Sequence, residues 1–143
     1  MNTEQNKQVA RRLYELLNAG DVQTVGDLVT VDYVEHDPLP GQGSGREGVV
    51  DRFSILVRGL APRFTVEDIV AEGDTVVVRW TNAGTHIGEF LGIPPTGRPF
   101  TIGGIDVYRV DGDLLCEHWH QIDQLSMLGQ LGLLPEPAPS SGG

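Results

Sequence analysis

The residues best suited to acid–base chemistry stand in one stretch, Leu114-Leu115-Cys116-Glu117-His118-Trp119-His120-Gln121-Ile122-Asp123. Imidazole titrates closest to neutral pH, so a histidine can take a proton from carbon and return it without much tuning. The stretch follows an Asp111-Gly112 turn signal and reads as a strand running into a closing helix. Successive side chains on a strand alternate between faces. Cys116, His118, His120 and Ile122 are therefore expected on one face, and Leu115, Glu117, Trp119, Gln121 and Asp123 on the other. If the face of the two histidines is a cavity wall, this is where chemistry would be done.

Other elements must position that strand. Asn2 to Asn18 carries Val9, Leu13, Leu16 and Leu17 at helical spacing, with Asn2 or Thr3 as cap and Gly20 as stop. Asp21 caps a short helix with Val22, Val25, Leu28 and Val29. A short strand is expected over Tyr33-Val34-Glu35-His36-Asp37. Ser44-Gly45-Arg46-Glu47 has the capping-box pattern, before a helix with a stripe of Val49, Val50, Phe53, Leu56, Val57 and Leu60. From Arg63 the period becomes two, and two strands form a hairpin about Glu72-Gly73-Asp74. A glycine- and proline-rich connection leads to a long strand, Phe100 to Val110, in which Gly103-Gly104 is expected to permit a bulge. Leu125, Leu128 and Leu131 mark the closing helix, capped by Asp123. Helices first and long antiparallel strands after predict an α+β fold, a cone-shaped curved antiparallel sheet wrapped on the N-terminal helices. One domain is expected over residues 1–134, with 135–143 as a disordered Pro/Ser/Gly tail.

Composition narrows the function. A net charge of -10 argues against a nucleic-acid partner, which would need a basic stripe, and against an anionic membrane surface. No run of about 18 apolar residues suggests a transmembrane span. The first residues lack the apolar core of a signal peptide, so a cytoplasmic location is expected. The lone Cys116 allows no internal disulfide and reads as small core filling.

Several segments in this order resemble the SnoaL-like polyketide cyclases, within the superfamily of nuclear transport factor 2 and ketosteroid isomerase. They are His36-Asp37-Pro38, Gly45-Arg46-Glu47-Gly48, Gly84-Thr85-His86-Ile87-Gly88-Glu89-Phe90, Gly92-Ile93-Pro94-Pro95-Thr96-Gly97-Arg98, and Glu117-His118-Trp119 followed by Asp123 and Gln130-Leu131-Gly132. The resemblance implies a cofactor-free acid–base enzyme that closes a ring by intramolecular aldol condensation, or a related isomerase, acting on a polycyclic or aromatic ketone. In such cyclases an aspartate directly after the His-Trp pair is the acid/base, and a histidine stands on the preceding strand. Here those positions hold His120 and Asp106, so the two residue types are exchanged. The alternatives are a non-catalytic ligand-binding or accessory protein, and an epoxide hydrolase.

The expected catalytic residues are His120 and Asp106. A two-residue turn, Asp111-Gly112, would set Asp106 opposite Glu117. A three-residue turn, Asp111-Gly112-Asp113, would set it opposite His118, on the face of His120, and the family position favours this second register. A carboxylate beside an imidazole would fix its tautomer and favour its charged form. The expected substrate-binding residues are His118, His36, Trp80, Tyr33 and Tyr14. His36, His118, His120 and Asp106 have the chemistry of metal ligands, but they form no compact motif and the resemblance implies no metal or other cofactor. Trp119 and other apolar residues on the outer sheet face predict a homodimer.

Overall fold

The computed structural model describes residues 2–134. In chain order it contains α1 (Thr3–Ala19), α2 (Val22–Val25) with a following 3-10 turn (Gly26–Leu28), β1 (Val29–Glu35), α3 (Gly45–Leu60), β2 (Phe64–Glu72), β3 (Thr75–Thr85), β4 (Pro99–Asp111), β5 (Leu114–Ile122) and α4 (Gln124–Gln130). The tail expected at 135–143 lies outside the described residues. No helix is long and apolar enough to cross a membrane among the described residues.

The helices follow their capping residues. The Asn2 side chain accepts the Glu4 N–H, and Gly20 ends α1 in the left-handed region at φ 73°. Asp21 and Asp123 cap α2 and α4 through the N–H groups of Thr24 and Ser126. The capping box expected at Ser44 does not form. Ser44 occupies the N-cap position of α3, but its side chain makes no cap bond. Helix α1 buries Ala10, Leu13, Tyr14, Leu16 and Leu17. These pack with Val25, Val29, Val76, Val78 and Leu115 between the helices and one face of the sheet. Each such aliphatic chain contributes about 1.5–3 kcal/mol when fully buried.

The five strands form one sheet in the order β1-β5-β4-β3-β2. The sheet is α+β as expected but not wholly antiparallel, because β1 joins β5 in parallel. The connection explains this. Helix α3 and strands β2, β3 and β4 separate β1 from β5, which gives the chain room for a crossover that no tight turn could make.

Three features decide which residues face the cavity. The hairpin between β4 and β5 turns at Gly112 and Asp113, since Asp111 pairs with Leu114. Gly112 has φ 64°, at the first central position, where a tight hairpin turn calls for glycine. Next, Val110 pairs with Leu115 but Arg109 pairs with Glu117, so Cys116 is a bulge with no partner across the ladder. Beyond it Asp106 faces His120 and Tyr108 faces His118. Neither register expected from the sequence holds. The turn lies one residue later than the Asp111-Gly112 signal suggests, and the bulge adds one more step. Leu115, fully buried, takes the inward place expected for Cys116.

Gly103 and Gly104, finally, do not bulge. They pair in register with Thr81 and Trp80. Gly104 instead makes room for the Trp80 indole, because a Cβ there would lie 2.2 Å from Trp80 Cζ2.

Candidate active site

One face of the sheet, α1, α3 and α4 line a cavity of about 440 Å³. Its walls include Leu17, Phe53, Phe64, Phe90 and Ile102, with Asp106, His118, His120, Glu35 and Arg52 together at one part of the lining. A mostly apolar pocket with a few convergent polar groups is the usual form of a small-molecule site.

Asp106 is buried on β4. An isolated carboxylate there would be costly, and the fold answers with donors from three other elements. Trp80 Nε1 donates to Asp106 Oδ2 at 2.8 Å, His118 Nε2 to Oδ1 at 2.9 Å, and the Tyr14 hydroxyl to Oδ2. The Tyr108 hydroxyl lies 2.9 Å from that of Tyr14 and 3.3 Å from Asp106. Burial alone would raise the Asp106 carboxyl, but the His118 charge and the bonds from His118 and Tyr14 outweigh it and hold the group below its ordinary range.

His118 is clamped on both sides. Its Nδ1 lies 2.8 Å from both oxygens of Glu35, opposite the Asp106 contact. Two carboxylate partners require both ring nitrogens to donate, so the ring is an imidazolium. Burial pushes its pKa down, but Asp106 and Glu35 outweigh burial and raise it to about 9. Glu35 in turn lies 3.5 Å from Arg52 Nη1. Burial raises its carboxyl, and His118 and Arg52 bring it below the ordinary value.

His120 differs. It is half-buried on the cavity wall, and its backbone N–H donates to Asp37 Oδ2 at 2.9 Å. The ring nitrogens lie 3.2 and 3.4 Å from Arg52 Nη2. A guanidinium can only donate, so a ring nitrogen must accept and the imidazole is neutral. Burial, the Arg52 charge and the His118 charge all push its pKa below the ordinary histidine value. The site thus holds one imidazole fixed as a cation and, 5.4 Å away between ring centroids, one kept as a base. The two environments hold the imidazoles in different charge states, and only His120 keeps a lone pair that can take a proton.

Of the residues expected from the sequence, Asp106, His118, His120, Trp80, Tyr33 and Tyr14 all line the cavity. His36 does not. It turns outward from the end of β1, bonds Glu117 at 2.7 Å and stacks on Trp119 at 4.5 Å. Alternation along β1 sends Tyr33 and Glu35 inward and His36 out. Two residues were missing from the sequence reading, Glu35 and Arg52. Each carried a signal: Glu35 stands two places after the inward Tyr33, and Arg52 stands three after Val49 and one before Phe53, inside the apolar stripe of α3.

Glu35, His118 and His120 place candidate ligand atoms within 4.8 Å of one another. They do not fit a metal ion. Both His118 nitrogens are committed to carboxylates, and the Arg52 guanidinium already stands against His120 and Glu35.

The family model of the SnoaL-like polyketide cyclases matches residues 7–131, and the chain belongs to that family. It is 28% identical over 142 residues to aklanonic acid methyl ester cyclase DnrD of Streptomyces peucetius, covering 94% of each chain. It is 30% identical to aklanonic acid methyl ester cyclase AcmA of Streptomyces galilaeus, covering 92% of this chain and 91% of that one. Among solved structures, TsrD from Streptomyces laurentii superposes with a TM-score of 0.85 at 29% identity, over 94% of this chain and 99% of TsrD. IdmH from Streptomyces antibioticus gives a TM-score of 0.76 at 35% identity, over 89% and 98%.

Proposed function

We propose that the chain is a cofactor-independent cyclase that closes a ring in an aromatic polyketide by intramolecular aldol condensation, with His120 as the acid/base. The observation that carries this reading is a neutral imidazole on the wall of a largely apolar cavity, in a chain whose relatives include cyclases.

The chemistry balances at one residue. When substrate binds, Arg52 Nη2 gives up the one lone-pair nitrogen of His120, and that nitrogen takes the proton from a carbon between two carbonyls. The resulting carbanion attacks a ketone of the same molecule and forms the new C–C bond. The alkoxide so produced takes the proton back from His120. Nothing is oxidised and the ring nitrogen returns to its starting state. The buried Asp106–His118–Glu35 array holds fixed charge beside this base and does not itself exchange protons, since its members are committed to one another. Trp80, Tyr33 and Tyr14 give the polyketide aromatic surface along the wall.

The test uses aklanonic acid methyl ester, whose aldol product is an isomer of equal mass that chromatography separates. Wild type should close the ring, and His120→Gln should lower kcat about 10²–10⁴-fold. Wild-type rates in His120→Gln would sink the assignment of the base.

A homodimer belongs to the same reading. Val34 and Ile105 are 47% and 45% exposed, on the outer face with Trp119, and an apolar patch there suits a second copy. A monomer by sedimentation at micromolar concentration would overturn this part.

A further inference from the structure

We propose that Arg52 is an enolate-binding residue: its guanidinium, sharing the cavity wall with His120, holds the oxygens of a 1,3-dicarbonyl ligand once the proton between the carbonyls has left. The inference deepens the function proposed above and rests on its assignment of His120 as the base.

Arg52 is only 8% exposed. One end of its fork is held from behind, with Nη1 donating to the Asp37 carbonyl at 3.0 Å and to Gln42 Oε1 at 3.3 Å. The other end, Nη2, faces His120. Its carboxylate partner among the described residues is Glu35, and Glu35 is shared with His118 through both oxygens. The other nearby carboxylate, Asp37, turns its Oδ2 to the backbone of His120. Arg52 thus shares its ion-pair partner with His118, and its Nη2 arm meets a neutral imidazole instead of a carboxylate.

No other cation in the cluster can serve. Both N–H groups of His118 are spent on Asp106 and Glu35. The Trp80 N–H and the Tyr14 hydroxyl point to Asp106. Tyr33 lines the cavity, but a neutral hydroxyl cannot balance a full charge. An enolised 1,3-dicarbonyl spreads one negative charge over two oxygens, and with Nη1 held by Asp37 and Gln42 it is the hydrogens of Nη2 that meet them. When the C–H bond breaks, the proton goes to His120 and the electron pair moves onto the oxygens. Donors fixed in advance in an apolar cavity are worth more than the same donors in water.

Benzoylacetone, a 1,3-diketone with no ring to close, tests this directly, because its enolate absorbs at longer wavelength than its neutral form. Titrated into wild type at pH 7, the bound diketone should be ionised at least tenfold more than the free one. Arg52→Gln should lose that ionised fraction at least tenfold, with its fold checked by near-UV circular dichroism. His120→Gln should keep most of it, since at equilibrium the proton can leave to solvent. Should Arg52→Gln not fold, the double variant Arg52→Gln/Glu35→Gln removes the charge together with its partner and should show the same loss. A folded Arg52 variant that ionises the diketone as wild type does overturns the proposal, as does a wild type that binds only neutral diketone or none. Wild type that ionises the diketone but closes no ring in the ester leaves the enolate site standing and removes the cyclase reading instead.

Discussion

His118 Nε2 lies 2.9 Å from Asp106 Oδ1, although the residue directly across the ladder from Asp106 is His120. The ion pair is a diagonal one, of the kind long side chains make between adjacent strands. It leaves the directly opposed imidazole, His120, to face the cavity and Arg52. One carboxylate therefore acts on the site through the neighbour it reaches, and its opposite partner keeps a free role.

Removing the clamped cation should cost stability. In His118→Gln, Asp106 and Glu35 lose the positive charge between them. Breaking a buried pair in this way costs about 3–5 kcal/mol, measurable by urea denaturation. Asp106→Asn added to His118→Gln should recover part of the loss, and strict additivity of the two changes would contradict the coupling.

Stability should also depend on pH with a definite sign. The folded pKa of His118 is raised from 6.5 to about 9. Its contribution is full below pH 6.5 and is lost as pH rises through 9. Asp106 and Glu35 have folded values below 3.8 and 4.5. Their contribution is present above those values and is lost as pH falls through the depressed ones. The urea midpoint should therefore be highest between pH 4.5 and 6.5 as far as these groups decide it, and should decline toward pH 9. A midpoint that rises from pH 6.5 to 9 would contradict the charged state of His118.

Activity should follow His120 instead. Arg52 faces it from α3, Glu35 and Asp37 from β1 and the bend after it, Asp106 from β4 and His118 from its own strand. Their balance, with burial, holds the base form to lower pH than an ordinary histidine. The acidic limb of kcat/KM should fall below pH 6.5, with no loss between 6.5 and 8 from this group. A limb centred above 6.5 would point to another base.

The two adjacent glycines of β4 should behave differently. A Cβ at Gly104 would lie 2.2 Å from the Trp80 ring, whereas one at Gly103 meets nothing closer than 3.8 Å. Gly104→Ala should displace the indole from Asp106 and cost about 1–3 kcal/mol. Gly103→Ala should stay within about 0.5 kcal/mol of wild type. Thermal or urea unfolding of the pair checks both.

Much of the fold was legible because its signals are local. The spacing of Leu13, Leu16 and Leu17, the caps at Asn2, Asp21 and Asp123, and the alternation from Phe64 onward each act within a few residues. The parallel seating of β1 on β5 was not legible, since it depends on how distant segments pack. The Cys116 bulge left no mark in residue type. Within the site, Asp106, His118 and His120 stood out as polar residues on apolar strands. Arg52 and Glu35 do not stand out in the same way, because charge usually means surface, although their spacing places them inside.

The unpaired Cys116 makes the β4–β5 hairpin behave like a reading frame. One residue there sets the parity of all that follows in β5. Were Cys116 taken into the ladder opposite Arg109, Leu115 would keep its place, but Trp119 and Gln121 would meet the cavity and both histidines would turn outside, with every histidine still in the sequence. The bulge is thus as much a part of the site as the residues that line it. Two chains of this kind with identical histidines, one keeping the bulge and the other pairing that residue, would not carry the same site.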